Sequence, residues 1–366
     1  MDSEVIQELL KLVRIRSVSG RENELADYIS QQIPSDLNII RKRNTIVAYR
    51  SLKNHIALVG HIDTVDNVNT KNGLIEGDRL YGLGASDMKA GIAIILQLIK
   101  EFYTKPVLWI FYDQEEKDYD LNGLQMVFED YYDLVKEIDF AVILEPTSNN
   151  VELGCNGVIN YGLWVRGKSG HSARFQSYLN PFYKTLPILN YFKNYKPKLY
   201  TRKVRLNAKS YILQYYSNAV ITLCRGCNDY SGQENVRNVV PEYCFLNLNV
   251  RFTPNNELRQ LDHKFRKIFE RLGIDKVEII DFAPAGKIII NKHLKRFMEW
   301  YISNGVDINI LAKQGWTDVA RFTSYSIPAI NLGPGDPLQA HQQNESVSIS
   351  KTLKLYSVLR QYLSGI

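Results

Sequence analysis

The sequence predicts an α/β protein built on a mostly parallel β-sheet with helices on both faces. Three apolar stretches carry this prediction, and each ends in charged residues: HIALVGHID (55–63), KPVLWIFYDQEE (105–116) and EIDFAVILEP (137–146). Near-continuous apolar runs are typical of parallel strands that are covered on both sides. Helical patterns separate the three stretches, as expected when helices cross over the faces of such a sheet.

Further elements flank these strands. Apolar residues recur at helical spacing in Asp2–Arg14, so this segment is predicted to be a helix. A second helix is predicted at about 21–32, with Glu22 and Glu24 near its positive end. NIIRKRNTIVAYR (38–50) is interpreted as one more strand. The apolar segment from Ala90 to Ile99 predicts a helix against the sheet, and we expect Ser86 to cap its start.

The pattern changes in the middle of the chain. From residue 157, apolar and polar residues alternate as in antiparallel strands, and a tyrosine-rich helix at about 181–195 and an amphipathic helix before Gly273 interrupt them. At about Lys287 the α/β pattern resumes. We therefore predict a larger α/β domain of residues 1–156 and 287–366 and an inserted α+β sandwich of residues 157–286.

Composition restricts the functional classes. The chain has 366 residues, a net charge of +6 and 45% hydrophobic residues, enough for a large core. Because basic residues do not cluster with aromatic ones, a nucleic-acid partner is not expected. The longest apolar stretch, Gly91–Ile99, is too short to cross a membrane, and the N-terminus lacks a signal-peptide pattern, so we expect a cytoplasmic protein. The four cysteines, including the Cys224/Cys227 pair, are interpreted as free thiols, with a local disulfide as the alternative.

The ends of the predicted strands carry residues that can bind metal. His61 and Asp63 are two positions apart, so they should point the same way, and Asp63 can orient the imidazole. Taken singly, each candidate has a structural explanation: Glu116 as part of a solvated loop, Asp87 as a helix cap, Glu145 as a turn carboxylate.

Four of these residues, together with a late histidine, favour a metal centre. Two imidazoles and three carboxylates at one sheet edge are a ligand set for two divalent ions that share a carboxylate, and mixed nitrogen and oxygen ligation suits zinc. The set is His61, Asp87, Glu116, Glu145 and His341. Glu115, next to one of these ligands, can serve as the base that such a centre needs.

These residues lie in motifs that resemble the dizinc amidohydrolases and peptidases that include succinyl-diaminopimelate desuccinylase, acetylornithine deacetylase and aminoacylase. The motifs span nearly the whole chain: GHIDTV, YGLGASDMKAG, YDQEEKD, ILEPT, GHSAR and the late AH before QQNE. The resemblance implies two Zn²⁺, with Co²⁺ able to replace them. It implies that His61 and Glu145 bind one ion, Glu116 and His341 bind the other, Asp87 bridges them and Asp63 orients His61. Glu115 would be the general acid/base, and the Asp87–Met88 peptide bond would be cis.

The same resemblance assigns roles in the inserted domain, which in this family is a lid that also forms a homodimer. His171 would reach the partner subunit's active site and stabilise an oxyanion. Asn235 and Arg251 would hold the substrate, Arg251 through a carboxylate. Within the family the desuccinylase subgroup is most similar, and there the segment with Thr317 and Arg321 lies near the substrate's carboxylate end. Phe175 stands where that subgroup has proline, which affects the expected substrate more than the chemistry.

The resulting hypothesis is hydrolysis of the amide of a small carboxylated N-acyl amino acid, with N-succinyl-diaminopimelate as the favoured substrate. Another acyl amino acid, such as acetylornithine, or a dipeptide is the nearest alternative. GLGASD suggests a dinucleotide-dependent oxidoreductase, but the third glycine of the fingerprint is missing. A metal-free binding protein with the same fold is the remaining alternative.

Overall fold

The computed structural model describes residues 2–53, 56–69, 71–206, 209–227, 237–304 and 309–366. The elements up to residue 153 are α1 (Asp2–Arg14), α2 (Asn23–Gln32), β1 (Asn38–Lys42), β2 (Thr45–Tyr49), β3 (Ile56–His61), β4 (Ile75–Glu76), β5 (Arg79–Tyr81), α3 (Ala90–Phe102), β6 (Val107–Tyr112), α4 (Gly123–Asp130), α5 (Tyr132–Val135), β7 (Phe140–Pro146) and β8 (Val151–Leu153).

Helices and strands also alternate in the rest of the chain. They are β9 (Gly157–Arg166), β10 (Gly170–His171), α6 (Pro181–Lys193), β11 (Lys198–Leu206), β12 (Lys209–Cys227), β13 (Val239–Val240), β14 (Tyr243–Phe252), α7 (Leu258–Arg271), β15 (Lys276–Ala283), α8 (Lys292–Asn304), β16 (Ile310–Ala312), α9 (Val319–Ser324), β17 (Ala329–Gly333), β18 (Ser346–Ser348) and α10 (Ile349–Ser364). None of the described helices combines the length and the apolar character that a membrane-spanning segment needs.

The predicted α/β sheet is confirmed. Eight strands lie in the order β1-β2-β6-β3-β7-β17-β8-β16. β3 pairs in parallel with both β6 and β7, and β7 pairs in parallel with β17. Every residue of β3, β6 and β7 is buried, which explains their near-continuous apolar sequences.

Helices cover both faces of this sheet, as predicted. α1, α3 and α10 belong to one apolar cluster, and α4, α5 and α9 belong to a second cluster that includes the other side chains of the same strands. Because side chains alternate between the faces of a strand, each buried strand contributes to both clusters. Because the three strands are parallel neighbours, the carboxyl ends of β3, β6 and β7 meet at one edge of the sheet.

Two local predictions are wrong. Residues 38–50 form a hairpin of β1 and β2 rather than one strand, and Arg43 at its turn has a left-handed φ of 54°. Ser86 does not cap α3: its hydroxyl donates to the carbonyl of Asp336, and the helix begins only at Ala90. The backbone of Asp87 and Met88 is not helical, so the helix cannot extend back to Ser86.

A second sheet is formed between residues 157 and 283. Its five strands lie in the antiparallel order β11-β12-β14-β9-β15, and apolar residues of α6 and α7 pack against it. The long hairpin of β11 and β12 did not emerge from the sequence. All of these strands lie within 157–286, which supports our proposal that this segment is an insert in the domain of residues 1–156 and 287–366.

Candidate active site

His61 stands at the end of the central strand β3. Its ring is buried, and Nδ1 lies 3.0 Å from the carbonyl oxygen of Asp63 and 3.4 Å from its carboxylate Oδ1. Nε2 lies 3.0 Å from Oδ1 of Asp87 and 3.9 Å from Oε1 of Glu145. Burial favours the neutral ring, but contacts with Asp63 and Asp87 outweigh it and raise the pKa of His61 well above its usual value. Asp63 thus fixes the ring so that Nε2 faces two acids.

Asp63 also joins two loops of the site. Its carboxylate accepts the backbone N–H groups of Glu115 at 2.9 Å and Glu116 at 3.0 Å, and the hydroxyl of Ser19 at 2.7 Å. The loop after β6 is therefore held against the end of β3. Asp63 therefore contacts the backbone of both Glu115 and Glu116 as well as the ring of His61.

Asp87 lies between two groups of possible ligands. Its Oδ1 faces His61, while its Oδ2 is 3.8 Å from Nε2 of His341. His341 in turn lies 2.7 Å from Oε1 of Glu116. One carboxylate therefore presents one oxygen to each group, which is the arrangement a bridging ligand requires. The peptide bond after Asp87 is cis, as the resemblance implies.

Side-chain atoms that can bind metal converge in three overlapping groups, each with its ligand atoms within 4.8 Å of one another. The groups are His61–Asp87–Glu145, His61–Glu115–Glu116 and Asp87–Glu116–His341. The structure thus brings together all the residues predicted to bind or act on metal, from sequence positions as distant as 61 and 341.

The surroundings of Glu145 indicate that the site can hold a cation. Its Oε1 is buried without a hydrogen-bond partner among the described residues, although it lies near His61. Burial and the neighbouring Asp87 carboxylate raise the pKa of Glu145 to about 8. A buried carboxylate oxygen without a donor is costly, and a divalent cation bound by these residues would remove that cost. The site is therefore well suited to metal.

The pKa of Glu115, the remaining acid, is raised like that of Glu145. Burial, reinforced by the neighbouring carboxylates of Glu116 and Glu145, raises its pKa well above the usual range. A carboxyl with a raised pKa beside a metal centre is typical of a group that exchanges protons during a reaction.

Sequence reasoning missed one acid that shapes the site. The buried carboxylate of Glu345 accepts the backbone N–H groups of Gly84 at 2.8 Å, Ser86 at 2.8 Å and Asp87 at 2.9 Å. The quoted QQNE motif contains this residue, but the sequence does not indicate its contacts. The loop that contains Gly84, Ser86 and Asp87 is also tightly packed against Gly335. A Cβ atom on Gly335 would lie 2.1 Å from the carbonyl oxygen of Ser86.

A cavity of about 430 Å³ opens over the acids. It is lined by Asp87, Glu115, Glu116, Glu145 and His341, and further by Lys117, Asp118, Tyr119, Val158, Asn160, Asn249, Arg251, Asp281, Ala283, Gly315 and Trp316. Both sheets contribute to the lining, because Asn160, Asn249, Arg251 and Asp281 come from strands β9, β14 and β15. The volume suits a small amino-acid derivative.

The residues proposed to bind substrate occupy different places. Arg251 lines the cavity, and its Nε donates to Oδ1 of Asn249 at 3.2 Å. Thr317 is buried, and its side chain does not line the cavity. Asn235 lies outside the described residues.

Arg321 and His171 do not face this cavity. Arg321 is fully buried, donates to Oδ1 of Asp318 at 2.9 Å, and lies 4.0 Å from the ring centre of Tyr119. Its guanidinium contacts protein groups behind the cavity wall. In this structure Arg321 is therefore not placed to contact a substrate directly. His171 is exposed on β10, where its Nδ1 accepts the N–H of Ala173 at 3.1 Å.

Comparison with known proteins agrees with this geometry. A model of peptidase family M20/M25/M40 matches residues 57–365. The chain is 31% identical to the succinyl-diaminopimelate desuccinylase of Corynebacterium glutamicum, over 97% of this chain and 94% of that protein. It is also 31% identical to a putative succinyl-diaminopimelate desuccinylase of Mycobacterium tuberculosis, over 97% and 96% of the two chains.

Solved structures show the same fold. An M20 family metallo-carboxypeptidase from Sulfolobus solfataricus superposes with a TM-score of 0.73 at 17% identity, over 98% of each chain. A dinuclear metal-binding peptidase of the M20 family from Bacillus subtilis gives a TM-score of 0.68 at 14% identity, over 100% of this chain and 99% of that one. The resemblance stated from the motifs is therefore confirmed, and the chain belongs to peptidase family M20/M25/M40.

Proposed function

We propose that this metal-dependent amidohydrolase removes the succinyl group of N-succinyl-diaminopimelate, giving succinate and diaminopimelate. The observation that carries the proposal is the position of Asp87, whose two carboxylate oxygens face two separate groups of possible ligands. The names of the relatives from C. glutamicum and M. tuberculosis support the choice of substrate.

The metal centre of this proposal contains two zinc ions, which Co²⁺ can replace. His61 and Glu145 would hold one ion, Glu116 and His341 the other, and Asp87 would bridge them. Bound divalent ions would supply Lewis acidity for the amide carbonyl and for the attacking water. Nitrogen and oxygen donors in this mixture suit zinc, and the unpartnered oxygen of Glu145 supports a cation between these side chains.

Proton transfer is assigned to Glu115. Its carboxylate takes a proton from the attacking water and gives it to the nitrogen of the leaving amine, so the amide C–N bond breaks as a new C–O bond forms. Asp63 holds the backbone of Glu115 at 2.9 Å and is therefore a positioning residue for this step.

Substrate binding is assigned to the part of the cavity that the second sheet lines. Arg251 would bind a substrate carboxylate, because its planar guanidinium matches two carboxylate oxygens. Asn249 supports Arg251 and itself donates to Asn160 at 2.9 Å, so the arginine extends from a connected polar network.

The active assembly of this proposal is a homodimer formed through residues 157–286. Beyond Ser217, β12 pairs only with β14 in the described residues, so this stretch is an available sheet edge. α6 packs next to β12 and exposes Tyr183 and Leu186. An available edge beside exposed apolar side chains favours association with a second copy. His171 and Asn235 would then act in the partner's active site, His171 on the oxyanion.

A substrate panel tests the function. Purified protein, incubated with Zn²⁺ or Co²⁺, is assayed for release of free amine from N-succinyl-L,L-diaminopimelate, N-acetylornithine, N-acetylmethionine and a dipeptide. We expect the highest kcat/KM for the succinyl compound. A higher value for any other member would replace the substrate while keeping the chemistry, and no hydrolysis of any member would contradict the amidohydrolase assignment.

A further inference from the structure

Asp281 lines the cavity because of an irregularity in strand β15. In the pairing of β15 with β9, Ile279 lies opposite Tyr161, but Asp281, two residues later, lies opposite Asn160, so one extra residue is inserted between them. Such bulges redirect side chains and are frequent beside active sites. Without this bulge, the regular alternation of the strand would not place Asp281 at this register position.

The charges of Asp281 and Arg251 are not neutralised by each other. Oδ1 of Asp281 accepts the backbone N–H of Tyr119 at 3.3 Å, and its Oδ2 has no hydrogen-bond partner in the part of the chain that the structure describes. Among the residues that the structure describes, the Arg251 guanidinium donates a hydrogen bond through Nε alone, to Oδ1 of Asn249. No ion pair joins the two residues within the described ranges, although Asp281 acts electrostatically on Arg251. The cavity thus presents an anion and a cation, each with atoms available for a ligand.

The wall beside these charges is fixed. The rings of Tyr119 and Trp316 meet edge to face with centres 5.7 Å apart, and the indole N–H of Trp316 donates to the carbonyl of Pro284 at 2.9 Å. The buried Arg321 supports Tyr119 from behind. Since Asp281 bonds to the backbone of Tyr119, its carboxylate is held in place before any ligand arrives.

We propose that Asp281 is a specificity-determining residue that binds a free ammonium group of the substrate while Arg251 binds the carboxylate on the same carbon. A preorganised anion and cation complement a zwitterionic amino-acid head, and an acyl amino acid without a free ammonium leaves Asp281 unpaired. This inference rests on the proposed amidohydrolase function and narrows its substrates to amides whose amine part carries a second, free amino group.

The first test compares two substrates that differ only in that ammonium: N-succinyl-L,L-diaminopimelate and N-succinyl-L-2-aminopimelate. For the wild-type metal-loaded protein we expect kcat/KM to be about 10- to 100-fold higher for the first, mainly through KM. Asp281→Asn should remove this preference and leave the rate with the second compound nearly unchanged. An equal loss on both substrates would show that Asp281 only maintains structure and would overturn the proposal.

Asp118→Asn is the matched control, because this exposed carboxylate lines the same cavity. We expect it to keep the preference for the ammonium-bearing substrate. Loss of the preference in Asp118→Asn, with retention in Asp281→Asn, would overturn the assignment to Asp281.

A binding experiment separates this inference from the proposed function. Calorimetry with 2-aminopimelate and pimelate, which differ by one ammonium, needs no turnover. We expect the metal-loaded wild type to prefer 2-aminopimelate and Asp281→Asn to bind both alike. If the wild type binds 2-aminopimelate preferentially but cleaves neither succinyl compound, the proposed function is contradicted and the role of Asp281 in binding the ammonium is retained. If the wild type cleaves both succinyl compounds equally well and binds 2-aminopimelate and pimelate alike, the role of Asp281 is contradicted and the proposed function is retained.

Discussion

Glu345 accepts the backbone N–H of Asp87 at 2.9 Å, although the two residues are 258 positions apart in the sequence. Its carboxylate also accepts the N–H groups of Gly84 and Ser86. Three backbone donors around one buried carboxylate fix the loop that carries the proposed bridging ligand. Because it holds the backbone of Asp87, Glu345 would be a positioning residue for the proposed metal centre.

The first prediction concerns this contact. Glu345→Gln places an amide NH₂ against backbone donors, so we expect metal affinity to fall by about 10- to 100-fold. The free energy of unfolding should also fall, by about 1–3 kcal/mol. Competition with a chromophoric chelator measures the affinity, and urea unfolding of the metal-free protein measures the stability. The exposed Glu270→Gln is the control, and unchanged metal affinity in Glu345→Gln would contradict the role.

The second prediction concerns the proton carrier. Glu115→Gln should lower kcat by a factor of about 10² to 10⁴, because an amide cannot exchange the proton. Metal content, measured by inductively coupled plasma mass spectrometry, should stay near that of the wild type. Glu129→Gln, at an exposed position of α4, should behave as wild type. Turnover near the wild-type rate in Glu115→Gln would remove this residue from the mechanism.

The third prediction concerns metal stoichiometry. Wild-type protein should bind two ions per chain, and His341→Ala should retain about one, because the group of His61, Asp87 and Glu145 is untouched. Removing metal with a chelator should abolish activity and lower the midpoint of thermal unfolding, since a ligand at 100 times its Kd stabilises a protein by about 2.7 kcal/mol. His293→Ala, which removes a partly exposed histidine beside Asp139, is the control. Two tightly bound ions in His341→Ala would contradict the ligand assignment.

The fourth prediction concerns Arg321. Because its ion pair with Asp318 is fully buried, Arg321→Met should reduce the free energy of unfolding by about 3–5 kcal/mol, by leaving the buried Asp318 carboxylate without a positively charged partner. The double variant Arg321→Met/Asp318→Leu should regain part of this loss. Urea unfolding measures both. A stability equal to that of the wild type, with a raised KM, would instead indicate direct substrate binding by Arg321.

The fifth prediction concerns assembly. Leu186→Asp introduces charge on the exposed face of α6 and should convert the proposed dimer to monomers, with loss of the contribution of His171 to kcat. Leu52→Asp is a matched control, because Leu52 is 57% exposed and Leu186 is 58% exposed. Sedimentation velocity measures the state. Fully active monomers would contradict catalysis by a partner residue.

The sequence by itself determined the sheet and most of the metal-centre candidates. Apolar strands such as β3 and β7 must be buried, and the residues that follow them must meet at one edge of a parallel sheet, so His61, Asp63, Glu116 and Glu145 were predicted together. Their convergence follows from chain direction alone. His341 was predicted in the same ligand set, and the resemblance to a known family then assigned it, together with Glu116, to one of the two ions.

Only the tertiary structure showed which groups Glu345, Asp281 and Arg321 contact. The contact of Glu345 with Asp87 joins distant segments that no local pattern connects. Asp281 lines the cavity because of a β-bulge in β15. A bulge of this kind has a weaker sequence signal than a turn marked by glycine or proline. Arg321, expected near the substrate, is buried against Asp318, because a charged side chain is directed by the partner that packing brings to it. Patterns along a chain fix which face a residue occupies, whereas contacts between distant segments fix what it touches.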